Sequence, residues 1–286
     1  MSITRVLGFL AMLIGFAHCF SWDIVVAGNK QLNFYSNGMH THTEEIAAAT
    51  KIASITYDPI GYRLLFINEN HLNTTMSIYD LTTGKIQTVY KVKSTVTELE
   101  VIAYEPVTQL LFIKNGSNIY SFSLNSASAK IAKYGNLVVK SDNYVRDIAV
   151  DSCGGYIYWI TDRNIEKARF DGSQREVIID STVIFRRSLA VDQQTQKMYW
   201  IDCKLEKSVY YMSIESADLN GNNRKRLHIS VNLASSIAVS KDFIYWQDNS
   251  NEGIWQLPNL ECSRTSTKKI RYASWHKLLA LSTCSC

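Results

Sequence analysis

"YIYWITD", Tyr156–Asp162, sets a tyrosine, a tryptophan and an acid among a few β-prone residues. The phrase returns as "MYWID" at Met198–Asp202 and as "IYWQD" at Ile244–Asp248. A second phrase runs ahead of each: a branched apolar residue, a small one, an apolar one, then usually an acid. It reads "ITYD" at Ile55–Asp58, "IAYE" at Ile102–Glu105, "IAVD" at Ile148–Asp151, "LAVD" at Leu189–Asp192 and "IAVS" at Ile237–Ser240. Counting back adds "LLFIN" and "LLFIK" to the aromatic phrases. Their anchors are then Phe66, Phe112, Trp159, Trp200 and Trp246, at intervals of 46, 47, 41 and 46 residues.

A constant spacing of this size marks repeated supersecondary units. The phrases are short, β-branched and aromatic, and turn residues separate them: "DPIG" at Asp58, "DSCGG" at Asp151, "FDGS" at Phe170, "DLNGN" at Asp218. A third run follows each aromatic phrase, as in "SIYDL" (Ser77–Leu81), "NIYSFSL" (Asn118–Leu124) and "KARF" (Lys167–Phe170). A fourth follows its turn, as in "KIQTVY" (Lys85–Tyr90) and "EVIID" (Glu176–Asp180). Four strands per unit of about 40–50 residues predict propeller blades.

The two ends complete the count. "WDIVVAG", Trp22–Gly28, reads as a second strand anchored at Val26, with "QLNFYS" and "EEIAAAT" as its third and fourth. "LALS", Leu279–Ser282, matches "IAVS" and supplies the missing first strand. The fold class is therefore all-β, a six-bladed propeller over residues 22–282, closed by the N- and C-terminal strands in one blade. In it Tyr158 and Trp159, Tyr199 and Trp200, and Tyr245 and Trp246 lie on opposite strand faces and fill the gaps on both sides of a blade. Asp202 and Asp248 beyond them bond strand-end amides.

The chain is 46% hydrophobic and 20% charged over 286 residues, with a net charge of +4, which is ordinary globular composition. The charge is too small and too scattered to point to nucleic acid. Arg5, the apolar run Val6–Ala17 and the small residues Cys19 and Ser21 read as a signal peptide over 1–21, too short to span a bilayer. Export agrees with glycosylation acceptors at Asn73 ("NTT") and Asn115 ("NGS"). Five cysteines then remain: Cys153, Cys203, Cys262, Cys284 and Cys286. Cys153–Cys203 and Cys284–Cys286 are the candidate pairs, with Cys262 the odd one. Residues 283–286 form a short cysteine-bearing tail.

"YWID", "YWQD", "YWIT" and "LAVD" resemble the class B repeats of the low-density lipoprotein receptor, the six-bladed YWTD propellers. "DSCGGYIYWIT", "FDGSQREVII", "LAVDQQTQKMYWID" and "IAVSKDFIYWQD" resemble the cueball-like proteins of insects in particular. That resemblance implies a secreted, non-catalytic interaction module with a part in germ-cell development. Such proteins continue into epidermal-growth-factor modules and a membrane span, whereas this sequence ends at "STCSC". The unusual stretch from Glu261 onward also admits a frameshifted C-terminus, which the transcript's 3′ end would decide.

No catalytic residue, metal or cofactor is expected. "HTH" at His40 and His42 sits in a stretch that reads as a loop with no third ligand near. Asp58, Glu105, Asp151 and Asp192 could ring a calcium ion, but each opens a turn where an acid bonds nearby amides. The rival class is a metal-dependent propeller hydrolase of the gluconolactonase type, with strictosidine-synthase-like proteins also six-bladed. It needs inward acids and amides, and only Asp147 is near the apolar inner strands. The remaining expectation is a basic rim of Arg146, Arg163, Arg186, Arg187, Lys204 and Lys207 at one end of the ring. It would take an extracellular protein or an acidic glycan, and the chain would be a monomer.

Overall fold

The computed structural model describes residues 22–28, 30–46, 51–69, 73–93, 101–124, 135–180, 183–230, 234–249, 253–259, 267–272 and 277–280. The proposed signal peptide, the tail and Cys262, Cys284 and Cys286 lie outside them.

Six four-stranded antiparallel sheets form the blades. Blade 1 joins β1 (Ile24–Ala27), β2 (Gln31–Ser36) and β3 (Met39–Glu45) to β24 (Lys277–Ala280). Blade 2 is β4 (Lys51–Asp58), β5 (Arg63–Glu69), β6 (Asn73–Asp80) and β7 (Ile86–Lys93). Blade 3 is β8 (Val101–Glu105), β9 (Leu110–Asn115), β10 (Asn118–Ser123) and β11 (Asn136–Lys140). Blade 4 is β12 (Val145–Asp151), β13 (Tyr156–Thr161), β14 (Asn164–Arg169) and β15 (Glu176–Asp180). Blade 5 is β16 (Phe185–Asp192), β17 (Lys197–Glu206), β18 (Val209–Asp218) and β19 (Lys225–Ser230). Blade 6 is β20 (Ala234–Val239), β21 (Phe243–Asp248), β22 (Gly253–Pro258) and β23 (Lys268–Tyr272).

The ring closes where the termini were expected to meet. Strand β24 pairs with β1 through Val26↔Leu278 and Val25↔Leu279. The closing strand is Lys277–Ala280 rather than Leu279–Ser282, and Leu278 faces Val26 as Ile237 faces Trp246. The repeat alignment is thus shifted by one residue there. The fourth strand of blade 1 also moves. It is Met39–Glu45, the stretch expected to be a loop, and not "EEIAAAT".

The aromatic pairs fill both gaps of each blade. Trp159, Trp200 and Trp246 pack toward the preceding blade, while Tyr158, Tyr199 and Tyr245 pack toward the following one. All six side chains are at most 2% exposed, and each buried ring stabilises the ring of blades by about 2–3 kcal/mol. Phe66 holds the tryptophan position of blade 2. Phe112 does not do so in blade 3. It faces the following blade with Trp159, in the tyrosine position, and Ile113 takes the tryptophan position.

Recurrent acids are structural. Asp58 Oδ1 accepts the amides of Ile60 and Gly61, Asp151 Oδ1 that of Gly154, and Asp192 Oδ1 that of Gln194. Glu105 accepts the amides of Val107 and Thr108. In blades 2 and 4 the third residue after the acid is glycine, because a Cβ at Gly61 or Gly154 would lie 2.5 or 2.2 Å from the carboxylate. In blades 3 and 5 it is threonine, and its hydroxyl donates to Glu105 or, at 2.6 Å, to Asp192.

Of the candidate pairs, Cys153–Cys203 is not formed. Cys203 is a buried free thiol whose pKa is raised by burial. Cys153 is disulfide-bonded, and since Cys203 is free its partner lies outside the described residues.

Candidate interaction face and central channel

The inner strands enclose a channel holding a cavity of about 200 Å³. Its walls mix apolar side chains such as Ile55, Ile148 and Ile237 with polar ones such as Ser54, Asp147 and Ser236. That volume is below the range of about 300–1,000 Å³ usual for small-molecule pockets. The polar groups at the strand starts stitch neighbouring blades together. Ser54 Oγ accepts the Ile102 amide at 3.1 Å, and Ser188 Oγ accepts that of Ile237 at 3.0 Å. Blade 3 has Val101 at this position, and Asp147 compensates. Its Oδ1 takes the Ile148 amide of its own blade and its Oδ2 the Leu189 amide of the next. The acid singled out for a metal channel therefore has both oxygens occupied by backbone. His40 and His42 are separated by a bulge and pack on different rings, Tyr35 and Phe34. Among the described residues no cluster of three or more His, Cys, Asp or Glu is placed to hold a metal ion.

The six rim residues fall into two groups. Arg146, Arg163 and Lys207 are exposed, and Arg187 and Lys204 are half-buried. All five belong to the end of the ring that carries the turns between second and third strands. Arg146 is the extra residue of a bulge, turned outward, and its Nε and Nη2 reach Asp162 at 2.9 and 3.0 Å. Arg187 stacks on Phe185 at 4.9 Å. Arg186 is not on the rim. It lies within β16, wholly buried, in register with Asp202.

The bulge at Ser188 (φ 45°) causes this, since it shifts the strand's alternation so that Arg186 points inward. Arg186 Nε is 3.1 Å from Asp202 Oδ1, and Nη1 donates to the carbonyls of Asp162 and Arg163. Trp200 Nε1 donates to the same Asp202 oxygen at 2.9 Å, and Arg224 pairs with the other at 2.5 Å. Burial pushes the Asp202 carboxyl up and the Arg186 guanidinium down, each against the pull of the other. Next to this lies Glu215, met by Arg224 and Arg226 at 3.1 and 3.2 Å and by Lys204 at 3.8 Å.

Sequence reading missed one feature of this end. Strands β17 and β18 have ten residues each, against six in β13, β14, β21 and β22. They stay paired to Glu206↔Val209 and turn through Lys207 (φ 51°) and Ser208 (φ 63°). Two successive positive φ values identify a type I′ turn, whose twist matches that of a hairpin. The arm exposes Leu205 (48%), Val209 (55%) and Tyr210 (61%). An apolar run without the usual Asn-Gly turn signal was the only trace of it. Asn73 and Asn115 sit beside the equivalent turns of blades 2 and 3, at the same end of the ring.

No family model matches the chain. Among curated proteins it is 28% identical over 265 residues to Protein cueball of Drosophila yakuba. It is 23% identical over 274 residues to Protein cueball of Drosophila virilis. These alignments take in 86% and 89% of this chain but only 39% and 42% of the relatives, so the chain spans well under half of their length. Among solved structures, a chain of the "Crystal structure of Nidogen/Laminin Complex" superposes with a TM-score of 0.73 at 14% identity, over 92% of this chain and 100% of that one. TolB from Acinetobacter baumannii superposes with a TM-score of 0.70 at 12% identity, over 91% and 66%. These two likenesses concern the fold. The sequence relation to the cueball proteins runs through the propeller.

Proposed function

We propose that this relative of the cueball proteins is an extracellular, non-catalytic propeller that binds a protein partner through the end of the ring carrying the β17–β18 arm. The supporting observation is a division of labour among polar groups. The turn acids, the inner-strand serines and Asp147 are taken up by the scaffold's own amides. Exposed cations and apolar side chains meet at the end of the ring that carries the arm, over blades 4 and 5. A rigid scaffold that presents such loops binds without a covalent step. Export through the N-terminal signal, glycosylation at Asn73 and Asn115, and a setting in germ-cell development form part of this reading.

The test uses the exported protein as bait in extracellular fluid, beside a variant carrying Arg163→Glu and Arg187→Glu. Arg186 is left alone because its reversal would disrupt the interior. Capture of a specific protein that the variant loses, with an unchanged melting curve, is the expected result. Equal capture by both proteins would overturn the assignment of the face. Metal-dependent lactone hydrolysis by the purified chain would overturn the non-catalytic reading.

A further inference from the structure

We infer that the β17–β18 arm is a docking post for an acidic protein segment that also carries apolar or aromatic side chains. This rests on the reading above and narrows it to one element and one partner chemistry.

The arm is built to hold its shape. Beyond the six-residue strands of the hairpins in blades 4 and 6 it adds about four residues per strand, roughly 13 Å of rise at strand geometry. Cross-strand pairing continues through Leu205↔Tyr210 to the tip. A partner therefore meets a preformed surface and spends little free energy on ordering it.

That surface has two sides. On the side continuous with Cys203 and Met212, Leu205 and Tyr210 stand directly opposite each other and are both exposed. An exposed cross-strand apolar pair on a projecting hairpin offers area for a partner to bury. A tyrosine of this kind supplies a large rigid contact area with a polar tip.

The other side is short of negative charge. Arg186, Arg224, Arg226 and Lys204 are drawn to Asp202 and Glu215, and Glu206, two positions past Lys204 on β17, is a further carboxylate near the tip. Of these cations the outermost, Arg226 and Arg224, have side chains 37% and 27% exposed. Lys207 at the tip and Arg187 beside the base are further cations. A carboxylate laid along this side would relieve the excess through charge-assisted hydrogen bonds. The apolar pair favours a protein segment over a sulfated glycan, which would have nothing to place on Leu205 and Tyr210.

The test measures retention of the whole exported chain on an immobilised random copolymer of glutamate and tyrosine, with heparin as the second probe. Retention on the copolymer should weaken with salt. It should fall about fivefold for Lys207→Glu and for Tyr210→Ala, while circular dichroism and the melting curve stay those of wild type. No retention, or retention unchanged in these variants, would overturn the inference. Retention on heparin alone would overturn it in favour of a glycan. Loss on reversal of Arg146 and Arg163 with the arm variants binding as wild type would sink the arm's role yet leave the face assigned above intact.

Discussion

The Nε atom of Arg186 lies 3.1 Å from Oδ1 of Asp202, and neither side chain is exposed. Removing one member of such a pair leaves the other charged, buried and uncompensated, which costs about 3–5 kcal/mol. Arg186→Ala should therefore lower the urea midpoint sharply, and Asp202→Ala should do the same. Arg187→Ala, one residue away and outside the interior, should stay within about 0.5 kcal/mol of wild type. Near-equal effects of Arg186→Ala and Arg187→Ala would show that the alternation is not shifted at Ser188.

That pair also marks the limit of what the sequence disclosed. The number of blades was legible because Trp159, Trp200 and Trp246 recur with their acids. The turns were legible because Asp58 and Asp151 stand three residues before a glycine. Bulges were not legible. A bulge adds one residue without any composition signal, and a strand's alternation reverses beyond it. Ser188 thus hid the burial of Arg186. Phe112 misled for a related reason: in a run such as "LLFIK" any neighbouring apolar residue can hold the anchor position, and the ladder Ala103↔Phe112 puts Ile113 there. The arm escaped notice because nothing in Cys203–Tyr211 resembles the other blades' short turns.

Glycines at the outer turns test how closely blades approach. An added Cβ at Gly221 (φ 83°) would lie 2.2 Å from the Ile178 carbonyl oxygen of the preceding blade, and one at Gly172 (φ 85°) equally close to that of Val138. Gly84 has φ 66° but nothing within 4 Å. Gly84→Ala should cost only the left-handed backbone penalty of about 1–2 kcal/mol. Gly221→Ala should cost more, since backbone must also move. Chemical denaturation of the three alanine variants gives the comparison, and equal losses would contradict the close approach.

Acid should weaken the fold in two stages. Burial lowers the pKa of His228, which packs on Trp246 at 5.1 Å, below the ordinary 6.5 despite the pull of Asp248. The unfolded chain then takes up this proton more readily than the folded one. Stability from a neutral His228 is present above about pH 6.5 and is lost as pH falls from there toward the lower folded value. Glu215 follows. Burial alone would raise it, but the Ser213 hydroxyl with Arg224 and Lys204 holds it below its usual 4.5, so its contribution is lost at still lower pH. Urea midpoints measured between pH 7.5 and 5 should show the first loss in wild type and not in His228→Phe. A loss of the same size in both proteins would assign it elsewhere.

Carbohydrate should partition the binding end of the ring. Glycans on Asn73 and Asn115 would stand over blades 2 and 3 and leave blades 4 and 5 clear. Asn73→Gln and Asn115→Gln should each remove one glycan by mass spectrometry and leave partner capture unchanged. A new acceptor at the arm's tip, made by Lys207→Asn with Val209→Thr, should carry carbohydrate and abolish capture. Undiminished capture by that glycosylated variant would place the partner elsewhere.

Closure of the ring is the last feature open to direct attack. Ile24, Val25, Val26 and Ala27 are each at most 1% exposed, and β24 is their neighbour on the inner side. Removing residues from 277 onward would strip blade 1 of that strand and leave the β1 edge unpaired, a template for association. The shortened chain should elute as aggregate or unfold in a broad, early transition. A cross-link between the facing positions, Val25→Cys with Leu279→Cys, should act the opposite way. It ties a strand near each end of the propeller in its native register and should stabilise by about 2–4 kcal/mol under oxidising conditions. Melting curves of the two variants answer together: closure predicts opposite shifts. An unchanged curve for the deletion would mean that the two ends do not hold the ring shut.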